Sequence, residues 1–359
     1  MMKKYIWERS GWPFLTWDNK ELSPLLGEIR NRQGQLLGKM SAVGGEIKQK
    51  ALMETAISEI LSSAEIEGKP LDKMAVNEEI EPYFSSKKNK TGDAVSVFFD
   101  VQQNCMQSIT DKRLVKWYAS YEGKPELENA GAAWKKPDLV IHIPSGSVER
   151  KMEYLKISIP EKIDYEMDSF LKWLNIQHST DPVIKAGIAC LRFLIIRPFE
   201  YNNGLISRNL ANIFLTRADR ISERYYSLST QLLKNKQSYF EALTSVQTSD
   251  LDVTEWLRWF LYSVGGAIDA ANEKLLRVIN NSKFLDRFNL VSFNDRQLKI
   301  IHFLLEGDEE TITTSRCAVM NDCSPDTALR DIQDLVAKEA LKKENLGGRS
   351  TAYGINSEV

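Results

Sequence analysis

The residues best suited to chemistry stand together in Arg197-Pro198-Phe199-Glu200-Tyr201-Asn202-Asn203-Gly204-Leu205-Ile206-Ser207-Arg208. Proline disfavours helical backbone in the residue before it, so the apolar helix running up to Arg197 is expected to stop there. Asn202, Asn203 and Gly204 tolerate left-handed backbone and can turn their amide N–H groups inward at the start of the next helix. A nest of amides backed by a helix dipole holds an anion, typically a phosphate. The same residues would serve equally as a plain interhelical turn, and local physics leaves both readings open. No histidine lies close in sequence: His178 falls a helix earlier and His142 in a strand-rich stretch. The four cysteines, Cys105, Cys190, Cys317 and Cys323, include no CxxC pair and sit in helix-like surroundings, so reduced thiols are expected.

The elements that must position this segment are mostly helical. A chain of 359 residues suggests two or three domains at roughly 150 residues each. With 43% hydrophobic and 27% charged residues it has the balance of an ordinary globular protein and cannot be largely disordered. No run approaches the roughly 18 apolar residues of a membrane-spanning helix. The opening MMKKYIWERSGW lacks the apolar core of a signal peptide, and a cytoplasmic location is expected. A net charge of -2 argues against a generally basic nucleic-acid coat.

Trp7, Trp12 and Trp17 recur every five residues, a spacing of neither helix nor strand, and predict an irregular arm whose tryptophans cap a core. From about residue 21 helices take over. Ile57, Ile60, Leu61 and Ala64 form the stripe of an amphipathic helix over 46–66, stopped by Gly68 and Pro70. Residues 83–93 read as a loop, 94–107 and Asp111 to Tyr118 as helices, and 139–159 as a β-hairpin. Asp181-Pro182 caps a helix whose next fourteen residues carry only Lys185 and Arg192 as charges, which places it in the centre of a core. Near the end, helices over 295–305 and from Ser324 to about Glu339 precede a glycine-tipped pair of short strands within Leu341–Tyr353. That order is the order of a winged helix-turn-helix.

With these residues in place, the chain resembles the Fic family, whose motif HxFx(D/E)GNGRxxR lies between two core helices. Phe199, Asn203, Gly204 and Arg208 match it in register, and the approach IKAGIACLRFLIIRPFE is similar too. The likeness covers about residues 110–215. It implies a mainly α fold, with a Fic-type helical core, a small β-hairpin flap and a C-terminal winged-helix-like domain. The expected divisions are 1–92, 93–285 and 286–359. Members transfer AMP or related phosphate-containing groups to protein hydroxyls. This chain departs from the pattern at four functional positions. The base histidine is Arg197, which stays protonated at neutral pH. The magnesium-holding acid is Tyr201, a neutral phenol and a poor ligand for a hard cation. A glycine is Asn202, and the phosphate-clamping arginine is Leu205. Glu200, one residue early, would need a shifted loop to reach a metal.

Ser63, Glu67 and Gly68 match the family's inhibitory motif (S/T)xxxE(G/N) at a helix end, and the resemblance implies that Glu67 pairs with Arg208. The 139–159 hairpin resembles the flap that holds a target protein by strand addition. Residues 290–359 carry eight Lys+Arg against twelve Asp+Glu, poor for phosphate contacts, although Lys342, Lys343 and Arg349 sit where a wing would be. The expectation is an AMP-transferase-like protein without a working catalytic residue, metal or required cofactor. It would act as a binding or regulatory protein through its cleft, flap or tail. The alternatives are an active transferase using ATP and Mg²⁺, and a transcription regulator that binds DNA through residues 286–359. Self-association stays open.

Overall fold

A computed structural model describes residues 5–84, 94–129, 134, 162–176, 179–289, 291–306, 309, 311–344 and 351–356. The expected hairpin 139–159, with His142, lies outside them, as do His178, Gly347, Gly348 and Arg349. The chain forms two compact units, Met1–Asn272 and Glu273–Val359.

The first unit opens with a 3-10 turn at Ile6–Glu8. It continues through α1 (Asn19–Ala42), α2 (Gly45–Ile66), α3 (Lys73–Phe84), α4 (Ala94–Gln103), α5 (Asp111–Glu122), a second 3-10 turn at Pro125–Asn129, α6 (Ile163–Asn175), α7 (Pro182–Ile196), α8 (Asn203–Asp219), α9 (Leu228–Lys234) and α10 (Lys236–Gln247). The long helix α11 (Thr254–Arg287) runs across the division.

At the centre α7 and α8 pack along each other. Every residue of α7 from Val183 to Ile196 is buried. Asp181 caps this helix by accepting from the Val183 N–H, and Pro182 occupies a first-turn position where no donor is missed. Its two charges are handled separately. Lys185 Nζ donates to the carbonyls of Leu174 and Ile176 at the end of α6, where the helix dipole favours a cation. Arg192 lies between the Phe170 and Trp173 rings. Gly187 lets α11 approach: a Cβ there would lie 2.9 Å from both Leu257 and Phe260.

Several expectations are corrected. The N-terminal tryptophans are only half-buried, and Ile6 is what the arm sends into the core. Trp7 stacks on Tyr5, and Trp12 donates to Glu166. The apolar stripe of α2 is incomplete: Leu61 is half-buried, while Glu59, Ser62 and Ser63 are buried. Elements α3, α4, α8 and α9 all pack on α2, so its polar residues are covered as well. Cys190 and Cys317 lie in helices, but Cys105 lies in a turn and Cys323 in irregular chain just before Ser324; all four are free.

The second unit adds α12 (Asp295–Glu306), β1 (Thr311–Thr313), α13 (Thr314–Met320), α14 (Pro325–Ala337), β2 (Leu341–Glu344) and β3 (Ala352–Ile355). Its sheet is antiparallel in the order β1-β3-β2, with Ile312 opposite Tyr353 and Lys343 opposite Tyr353 on the other side. Ile300, Ile301, Ile312, Ile332, Leu335 and Leu341 give it a core of its own.

Candidate functional site

The end of α2 is shaped by three residues. Gly68 takes left-handed backbone at φ 73°, and the Lys69 N–H bonds back to the Ala64 carbonyl at 3.0 Å. This is a Schellman closure, which suits glycine. It turns Ser63, Glu67 and Lys69 toward the segment 197–202 that joins α7 to α8.

That segment is bracketed by two left-handed residues, Arg197 at φ 51° and Asn202 at φ 60°. Between them Phe199 is fixed from both sides. Its N–H donates to Asn203 Oδ1 at 3.0 Å, and its carbonyl accepts from Asn203 Nδ2 at 2.7 Å. Its ring stacks on Tyr118 with centroids 4.4 Å apart. Asn202 bridges two elements: its Nδ2 donates to Glu122 at 2.7 Å and its Oδ1 accepts from Lys69 Nζ at 3.1 Å. Glu200 is half-buried, and Tyr201 is 50% exposed with Lys69 Nζ 5.7 Å from its ring centre. Leu205 is buried.

Glu67 fills the space over the first turn of α8. A Cβ at Gly204 would overlap its carboxylate and stand 2.7 Å from its Cδ. Arg208, 1% exposed, donates Nε to Ser63 Oγ at 2.9 Å and Nη2 to the Ser63 carbonyl at 2.9 Å and to Glu67 Oε1 at 3.1 Å. Burial alone would lower its pKa, but neighbouring Glu67 more than reverses this, and Arg208 holds its proton more firmly than an ordinary arginine. Burial draws Arg197 down to about 10, with Glu67 opposing the shift. At neutral pH both guanidinium groups are charged.

The structure therefore brings Ser63, Glu67, Gly204 and Arg208 into contact, with Arg197 close enough for Glu67 to act on it. Phe199 and Asn203 brace the turn. Sequence reasoning missed Lys69, Tyr118 and Glu122. Lys69 was the most accessible of these, since a residue just past a glycine C-cap is directed by the closure itself.

Comparison with known proteins gives two matches along the chain: a domain of unknown function, DUF4172, over residues 5–84, and the Fic/DOC family over residues 100–215. Among solved structures, a Fic family protein from Desulfovibrio desulfuricans G20 is 14% identical, with TM-score 0.47, over 94% of this chain and 97% of that one. Fic-1 from C. elegans is 16% identical, with TM-score 0.47, over 73% of this chain and 76% of that one. A Fic domain containing signaling protein from Bacteroides thetaiotaomicron is 16% identical, with TM-score 0.43, over 67% of this chain and 98% of that one. Among the described residues no helix is long and apolar enough to cross a membrane. Mainly helical, the chain carries a Fic/DOC domain over residues 100–215.

Proposed function

We propose that this Fic-domain protein does not transfer AMP and acts instead as a binding or regulatory protein. The observation that carries the reading is the Glu67 carboxylate over Gly204 and against Arg208, in the space where the turn would otherwise present its amides to an anion. Glu67 is then an inhibitory plug. The surrounding residues do not fit a magnesium nucleotide: Tyr201 offers a half-exposed phenol, Leu205 an apolar wall, and Asn202 a side chain already engaged by Glu122 and Lys69. Arg197, still charged with a pKa of about 10, cannot take a proton from a hydroxyl at neutral pH.

The test is incubation of the protein and its Glu67→Gly variant with radiolabelled ATP and Mg²⁺, alone and with a cell lysate. Losing a general base alone is typically worth about 10²–10⁴ in rate. No label above background is expected from either form. Mg²⁺-dependent labelling of a protein by Glu67→Gly would establish an active, merely restrained transferase and overturn the reading.

A second reading concerns the C-terminal unit, whose order α12-β1-α13-α14-β2-β3 favours a winged helix. On α14 the exposed residues include Asp326, Arg330 and Asp334, so its outer face is not basic. Contact with a protein suits that face better than contact with DNA phosphates. A gel shift with DNA from upstream of the chain's own gene decides between them, and saturable, salt-sensitive retardation would favour DNA.

A further inference from the structure

Between the N-terminal arm, α6 and α7 lies a groove of about 520 Å³. Pro13, Phe14, Trp17, Tyr165 and Trp173 wall it, and Arg192 lines it. Phe14 is 78% exposed and Tyr165 68%, so large rings face water along it. Arg192 is different: it is 3% exposed, yet its Nε and Nη2 find no acceptor among the described residues. Cation–π contact holds it in place, with its guanidinium carbon 5.2 Å from the Phe170 centroid and 5.1 Å from that of Trp173. Rings satisfy the charge but not the donors, which point along the guanidinium plane.

Among the described residues, the charges around Arg192 are already engaged. Asp168 pairs with Lys172 at 2.7 Å. Glu166 accepts from the Trp12 indole at 2.9 Å and acts on Arg192 only through space. Burial, partly opposed by Glu166, brings Arg192 down to about 10, so it is charged at neutral pH. An acceptor arriving in the plane of the guanidinium would meet two adjacent N–H groups, which is the geometry a carboxylate matches bidentately. A phosphate dianion asks for a second cation or an amide nest, and Lys172, the other cation among the described lining residues, is paired with Asp168.

We propose that this groove binds an aromatic carboxylate, its acid group received by the Arg192 fork and its ring laid against Trp173 and Phe14. The ligand is either a free small acid or the terminal carboxylate of a peptide ending in an aromatic residue. The two share the same chemistry.

The experiment titrates the full chain with phenylacetate, with phenylacetamide, and with N-acetylphenylalanine, followed by ligand-observed saturation-transfer NMR and intrinsic tryptophan fluorescence. Phenylacetate should bind saturably and about tenfold or more tighter than the uncharged amide, as loss of a charged hydrogen bond implies. Arg192→Met should remove that preference with the far-ultraviolet circular dichroism unchanged. Should this variant fail to fold, the acid-against-amide comparison on the native chain still decides. N-acetylphenylalanine binding more tightly than phenylacetate assigns the peptide terminus, and the reverse assigns the free acid. Equal affinity for acid and amide, or no acid binding up to about 10 mM, overturns the proposal.

Discussion

Arg208 spreads two nitrogens over three acceptors. The expected pair with Glu67 forms through one carboxylate oxygen, and Ser63 takes the other contacts of the fork. The pairing could be read from motif spacing. Its division could not, because it depends on how the end of α2 packs against α8. With its side chain 24% exposed and one contact to Arg208, Glu67 is worth less than a buried bidentate pair. Glu67→Ala is expected to cost about 1–2 kcal/mol in urea unfolding. Gly204→Ala should cost more than that alone, because its methyl overlaps the carboxylate. In the Glu67→Ala background the three atoms nearest that methyl are gone, and the penalty should fall. A double-mutant cycle reads this directly, and additive losses would show that Glu67 does not sit over Gly204.

At the level of elements, α7 was legible from end to end, since Asp181-Pro182 opens it and Arg197-Pro198 closes it. The short α13 and β1, at seven and three residues, escaped notice: too few turns or alternations exist for a period to declare itself. The far end of α8 also hid a titrating group. Asp219 accepts from Gln33 at 2.8 Å and from the Tyr226 hydroxyl at 3.4 Å, but its Oδ2 has no partner among the described residues. Burial pushes its carboxyl up to about 7, against the pull of Arg224 and Arg30. An unfolded aspartate titrates near 3.9. Between these values the native state binds a proton that the unfolded state releases, so stability falls as pH rises from about 4 through 7. Asp219→Asn should flatten this slope, and its advantage over the native chain at pH 8, on the order of a few kcal/mol, should disappear near pH 4. Denaturant unfolding at both pH values checks it. An unchanged slope would mean that Asp219 is ionised in the native state.

Across the whole molecule, the two units divide at Asn272/Glu273, inside α11. From Ala267 to Arg287 this helix contains no glycine or proline, so nothing in its residues punctuates that point. Each unit nonetheless owns a hydrophobic core, which is the physical condition for separate cooperative unfolding. Calorimetry of the full chain should resolve two transitions. Ile332, fully buried in the second core, supplies the means of assigning them. Ile332→Ala should lower one transition by about 2–5 kcal/mol and leave the other in place. A single transition that shifts as a whole would mean that the units unfold together.

The left-handed backbone at Arg197 and Asn202 has a consequence for how such a protein changes over generations. Neither residue is glycine, and left-handed arginine in particular carries strain that surroundings must hold in place. Here the brace is external: the Asn203 side chain clamps Phe199, Tyr118 stacks on it, and Glu122 with Lys69 ties down Asn202. A bend braced in this way makes its demands at Phe199 and Asn202, whose side chains the brace holds, and fewer at the half-exposed Tyr201. Exchange of Tyr201 should therefore leave the shape of the turn intact.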